Sequence, residues 1–116
     1  MPFDGTIYEP VSPVTQMLID GRQQLQRGWC QRIMRRRGSV CLIGSLAIVD
    51  FDVFAQAEKL LLNAIRAFGY PHTSVADFND DLTRTKEQVL EVYDRAIELS
   101  LPVIQRSLVP SEAITV

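Results

Sequence analysis

GWCQRIMRRRGSVCLIGSLAIV, residues 28–49, is the stretch on which the fold turns. It holds the single tryptophan, both cysteines and the longest apolar run of the chain. Trp29–Arg35 reads as a short extended segment. Arg36-Arg37-Gly38 reads as a turn leading into Ser39 and Val40, so a small two-stranded hairpin is expected. Val40–Val49 is apolar on every side, and periodicity alone does not separate a buried strand from a buried helix there. The reading preferred is a helix beginning near Leu42, with Gly44, Ser45 and Ala47 small enough to let a neighbouring backbone approach closely, a helix at Gly44.

N-terminal to this stretch, Ser12-Pro13 is a helix start, because serine caps free N–H groups and proline suits the first helical position. Val14, Met17, Leu18, Gly21 and Leu25 then share one face, and Gly28 is expected to stop the helix in a left-handed cap. Beyond it, Asp50 or Asp52 is expected to cap a helix over Val53–Phe68. Phe54, Ala57, Leu61, Ala64, Ile65 and Phe68 would face inward, and Gly69 and Pro71 end the helix. Thr73–Leu82 reads as a loop or short edge segment. Thr85 and Gln88 form a capping box for a helix over Lys86–Ser100, with Val89, Val92, Tyr93, Ala96 and Ile97 inward. Glu91 and Arg95, four apart, are placed to pair on its outer surface.

The expectation is therefore a mostly helical α+β fold, three or four helices around a buried central segment beside a small hairpin. Residues 1–11 read as an N-terminal arm and 12–101 as one globular domain. Residues 102–116 read as an apolar tail, packed on its own domain or on a second copy. A chain of 116 residues with 47% hydrophobic content suffices for one core without staples.

Charge is segregated. Residues 21–49 carry six arginines and no carboxylate, whereas from Asp50 onward there are eleven acidic and six basic residues. Such halves attract one another, within a molecule or between two. The net charge of −2 gives no general reason for nucleic-acid binding. No apolar run has the length of a membrane span, and no signal peptide is read at the N-terminus, so a cytoplasmic protein with free thiols is expected.

Several constellations bear on chemistry. Cys30, His72 and Asn79 supply the residue types of a Cys-His-Asn hydrolase, with Asp80 as a further candidate, although spacing gives that reading no support. A packed core thiol and a surface histidine are the favoured reading. Cys30 and Cys41 are read as a reduced pair. A two-residue Arg36-Arg37 turn sets them diagonally, roughly 7–8 Å apart, long for a disulfide, and a three-residue turn sets them on opposite faces. Asp77, Asn79 and Asp81 imitate the opening of a calcium loop. The imitation lacks its glycine and its closing glutamate, and Asn79 and Asp80 are expected to fold their own turn. No metal or cofactor is expected. Arg35, Arg36 and Arg37 at the hairpin tip suit an anion or an acidic partner.

Gly28-Trp29-Cys30-Gln31, Val40-Cys41-Leu42-x-Gly44, Phe78-Asn79-Asp80 and Arg84-Thr85 occur in that order. In this the chain resembles a group of small bacterial and phage proteins classed as a domain of unknown function. Their pattern is W-C-Q-G, C-L-x-G-A, W-N-D and R-T before a final helix. The resemblance spans about residues 14–100, with Arg32, Ser45 and Phe78 in place of glycine, alanine and tryptophan. It implies a shared fold and no particular activity. It also groups Trp29, Cys30, Cys41, Asn79, Asp80, Arg84 and Thr85 as one cluster, either a ligand pocket or, preferably, a structural tie between the Thr73–Thr85 loop and the central stretch. Arg84 suits Asp80 or backbone carbonyls in such a tie.

The functional expectation is a non-enzymatic interaction or regulatory module that associates with itself or another protein. The alternatives are a small enzyme using Cys30, or a weak nucleic-acid or anion binder through Arg35–Arg37.

Overall fold

A computed structural model describes residues 11–47 and 49–102. Four helices and a two-stranded antiparallel hairpin make up these residues, the mostly helical α+β arrangement expected. The helices are α1 (Pro13–Arg27), α2 (Phe51–Ala67), α3 (Val75–Asp80) and α4 (Lys86–Ser100); the strands are β1 (Arg35–Arg36) and β2 (Ser39–Val40). The N-terminal arm except Val11 and the apolar tail except Pro102 lie outside the described residues.

Local chemistry sets the helix ends. Ser12 accepts a hydrogen bond from the Thr15 amide, and Pro13 opens α1. The Asp50 carboxylate accepts from the Asp52 and Val53 amides, so α2 begins at Phe51, two residues before the position expected. It ends in a Schellman arrangement, with the Tyr70 amide on the Ile65 carbonyl, that of Gly69 on Arg66, and Gly69 at φ +86°. Thr85 and Gln88 form both halves of the capping box of α4.

Helices α1, α2 and α4 pack on one another around a core that includes Leu18, Leu25, Leu61, Ile65, Val92, Tyr93 and Ile97, all fully buried. Each such side chain contributes about 1.5–3 kcal/mol of burial. Polar ties run antiparallel between α1 and α4. Thr15 meets Ser100 at 2.7 Å, the Arg22 Nε meets Asp94 at 2.7 Å, and Lys86 donates to the Gln26 carbonyl at 2.6 Å.

Several expectations are corrected. Residues 41–47 are neither helix nor strand but a run of turns after β2, closed by the Ser45 amide on the Cys41 carbonyl and the Leu46 amide on that of Ile43. Leu42 and Leu46 fill the core while the chain winds between them. A neighbouring backbone does approach Gly44 closely, but it is that of Met34 and not a helix; a Cβ there would collide with the Met34 carbonyl oxygen. Gly28 is extended, at φ −175°, and its smallness makes room for Ser39. Thr73–Leu82 contains α3, capped by Ser74. Phe68 is 44% exposed instead of facing inward, and Arg95 lies 3.7 Å from Glu98 rather than pairing with Glu91.

Candidate functional site

The hairpin is joined by Arg37 and Gly38, with Arg36 opposite Ser39 and Arg35 opposite Val40. Both loop residues have positive φ, 48° and 86°, the pattern of a type I′ turn. This register matches neither turn considered from the sequence. Before the hairpin, Trp29 bridges Val40, and Arg32 is also left-handed, at φ 70°.

Asn79, 1% exposed on α3, is the hub that holds this segment. Its carbonyl oxygen accepts from the Trp29 indole N–H at 2.8 Å and from the Leu42 amide at 3.1 Å. Its amide nitrogen donates to the Cys30 carbonyl at 3.1 Å and to Asp80 Oδ1 at 3.0 Å. Two lone pairs and two N–H groups are thus all used. Asp80 Oδ1 also accepts from the Arg32 amide at 2.7 Å. The Gln31 side chain donates to the Asn79 and Asp81 carbonyls at 2.9 and 2.8 Å.

Beside this hub Arg84 lies buried, its guanidinium 3.8 Å from the Phe78 ring centre and 4.6 Å from that of Tyr70. Its Nε donates to the Phe78 carbonyl at 2.8 Å and one Nη to Gln88 at 2.9 Å. Planar stacking combined with directed donors is an arrangement lysine does not reproduce. Of the two partners expected, a backbone carbonyl and Asp80, the first is found at Phe78, and the carboxylate nearby is that of Asp81, at 3.9 Å, in place of Asp80.

The structure therefore joins Trp29, Asn79 and Asp80 directly, with the Cys30 backbone, and sets Arg84 alongside. Thr85 serves as the cap of α4. Cys41 accepts from the Gly44 amide at 3.3 Å, and Cys30 donates to the Ile33 carbonyl at 3.3 Å. Both thiols are free and half-buried, as is Trp29, so none of the three fills the centre of the core. Gln31 is the member that sequence reasoning left out, although it lies inside the quoted Trp29-Cys30-Gln31 motif.

The Cys-His-Asn grouping is not assembled. His72 Nε2 meets Asp81 Oδ2 at 2.9 Å, and its ring packs edge-on against Phe78, while Asn79 is committed to Trp29, Leu42 and Cys30. Burial pushes the Cys30 thiol upward, with neighbouring Cys41 and Asp80 adding to the rise against the opposing pull of Arg36. A nucleophilic cysteine needs the opposite shift. Asp77, Asn79 and Asp81 do not converge, since Asn79 is turned into the hub. Among the described residues no three His, Cys, Asp or Glu side chains gather as a metal site would require. Asp81, not Asn79 or Asp80, folds the local turn, accepting from the Thr83 amide and hydroxyl at 2.8 and 2.7 Å. An open depression on α1 is lined by Gln23, Gln26 and Arg27, none of them from this cluster.

The Thr83 hydroxyl and amide, then His72, hold the Asp81 carboxyl well below the ordinary carboxylate range, with Arg84 assisting against partial burial. A depressed folded pKa contributes stability that is present above the unfolded value, near 4, and is lost as pH falls through the folded one. Asp81→Asn is accordingly expected to flatten the acid limb of stability below about pH 4. Urea midpoints measured across that limb check this; an unchanged pH slope contradicts it.

Among the described residues no helix is long and apolar enough to cross a membrane. No curated protein and no solved structure matches the chain. Residues 9–99, most of the sequence and all of the elements just described but the last residue of α4, match the model of a family of unknown function (DUF6197), and the chain belongs to that family.

Proposed function

We propose that the protein is a non-enzymatic interaction module that self-associates, and that the basic hairpin is its contact element. The observation that carries this is the placement of Arg32 and Arg37. Both occupy left-handed backbone, where a non-glycine residue costs about 1–2 kcal/mol, and both keep exposed side chains. The resembled W-C-Q-G pattern puts glycine at position 32, the cheaper choice. Strain kept at an exposed position points to use of the side chain.

Arg35 and Arg36 stand beside them, also exposed, and Ile33 and Met34 are about half exposed. The saturated Asn79 hub holds this mixed basic and apolar surface in one conformation, which lowers the ordering cost of binding. The chain's own excess of carboxylates after residue 50 makes a second copy a chemically suited partner.

Light scattering on the full chain tests the reading. The mass is expected to exceed the 13.1 kDa monomer at about 0.05 M salt and to fall toward it at about 0.5 M. Arg37→Gly is expected to raise folding stability by about 1 kcal/mol while weakening association. A monomer at low salt, or association unaltered in Arg37→Gly, contradicts the proposal.

A further inference from the structure

We infer that the hairpin of one copy docks on the N-terminal end of α2 of a second copy, where Val49 and Phe51 are exposed beside Asp50 and Asp52. This rests on the self-association reading and names the surface that completes it. Val49 is 87% exposed and Phe51 79%, two large apolar side chains open to solvent on either side of Asp50 in the sequence. The hairpin presents the matching pair, Ile33 at 52% and Met34 at 49%. The other strongly exposed apolar side chains are differently placed. Phe68 lies under the Arg95 guanidinium and beside Tyr70, and Leu82 is isolated between Asp81 and Thr83.

The charges complete the match. Arg35 and Arg36 directly follow one apolar pair in the sequence, and Asp50 and Asp52 alternate with the other. Asp50 uses one oxygen to cap α2 and keeps the second, and no ion pair joins Asp52 to a cation among the described residues. Both surfaces are exposed in the same copy, so they do not satisfy one another internally. In a two-fold dimer each copy offers its hairpin and receives its partner's, so the contact forms twice.

Charge inversion separates this inference from the broader reading. In the full chain, Asp52→Arg and Arg36→Asp each set like charges against each other at both contacts of a homodimer. Each variant is expected to associate at least about tenfold more weakly than the natural chain. Mixed in equal amounts they regain opposite charges at both contacts, and sedimentation equilibrium is expected to show a heterodimer near natural affinity. If Arg36→Asp weakens association while Asp52→Arg does not, the hairpin docks elsewhere; the inference falls and the self-association reading stands. If neither variant weakens association, both fall.

Discussion

Replacing Asn79 by alanine is expected to lower folding stability by about 3–5 kcal/mol, a large share of the 5–15 kcal/mol typical of a domain. The expectation follows from what is stranded. The Leu42 amide loses its acceptor in the interior, the Trp29 indole N–H loses its own, and the Cys30 carbonyl loses its donor. Each buried polar group left unpaired costs about 1–3 kcal/mol, and a methyl group replaces none of them. Asn79→Asp should be nearly as damaging. It keeps an acceptor for Trp29 and Leu42 but puts a second oxygen where Asn79 donates, 3.1 Å from the Cys30 carbonyl and 3.0 Å from the Asp80 carboxylate. Trp29→Phe removes one bond and leaves the Leu42 contact in place, so about 1 kcal/mol is expected. Urea unfolding with an unchanged slope measures all three. An Asn79→Ala midpoint matching Trp29→Phe would show that the hub does not hold the segment.

Gly44→Ala is the second large effect, about 2–3 kcal/mol. The new Cβ would collide with the Met34 carbonyl oxygen and stand 2.9 Å from its carbon. These are backbone atoms, so no side-chain rotation relieves the contact. The chain entering β1 must move away, and the Cys41 amide then loses its 3.1 Å bond to the same carbonyl. Hydrogen exchange should report faster exchange at Cys41 and a displaced hairpin, with α1, α2 and α4 little changed. Because the hairpin is the proposed contact element, association should weaken in parallel. A stable Gly44→Ala protein with a protected Cys41 amide would contradict the close approach of Met34 to Gly44.

The three long helices were legible from residue types because their signals are local. Ser12-Pro13, Thr85-x-x-Gln88 and Gly69 each satisfy backbone groups within a few residues, and the core faces of α1 and α4 follow a 3.6-residue period. Residues 41–47 were not legible for the same reason inverted. Their conformation is held from elsewhere, through Asn79 on the Leu42 amide and Met34 against Gly44, and apolarity on every side carries no period. Helix α3 is one and a half turns of Asp, Asn and a few apolar residues, a composition that also suits a turn. Phe68 follows the period of α2 but stands at its C-cap, past the point where the face is covered.

For the candidate site, residue identity was legible and partnership was not. Tryptophan wants an acceptor and arginine wants acceptors, so Trp29 and Arg84 were recognisable as groups in need of company. That Asn79 serves Trp29, and that the Phe78 carbonyl rather than Asp80 serves Arg84, depends on how α3 docks, which no local spacing encodes. The hairpin register likewise depends on Arg37 accepting a left-handed conformation that residue type alone argues against.

Asn79 closes a saturated hub that fixes residues 28–44 and presents the hairpin. Native-state hydrogen exchange at the Leu42 amide reports on whether that hub is closed. Its bond to Asn79 joins the central stretch to α3, so the amide is expected to exchange only through opening that approaches global unfolding in free energy. Exchange at the rate of an unprotected amide, with α1 and α4 still protected, would show that Asn79 does not hold this segment.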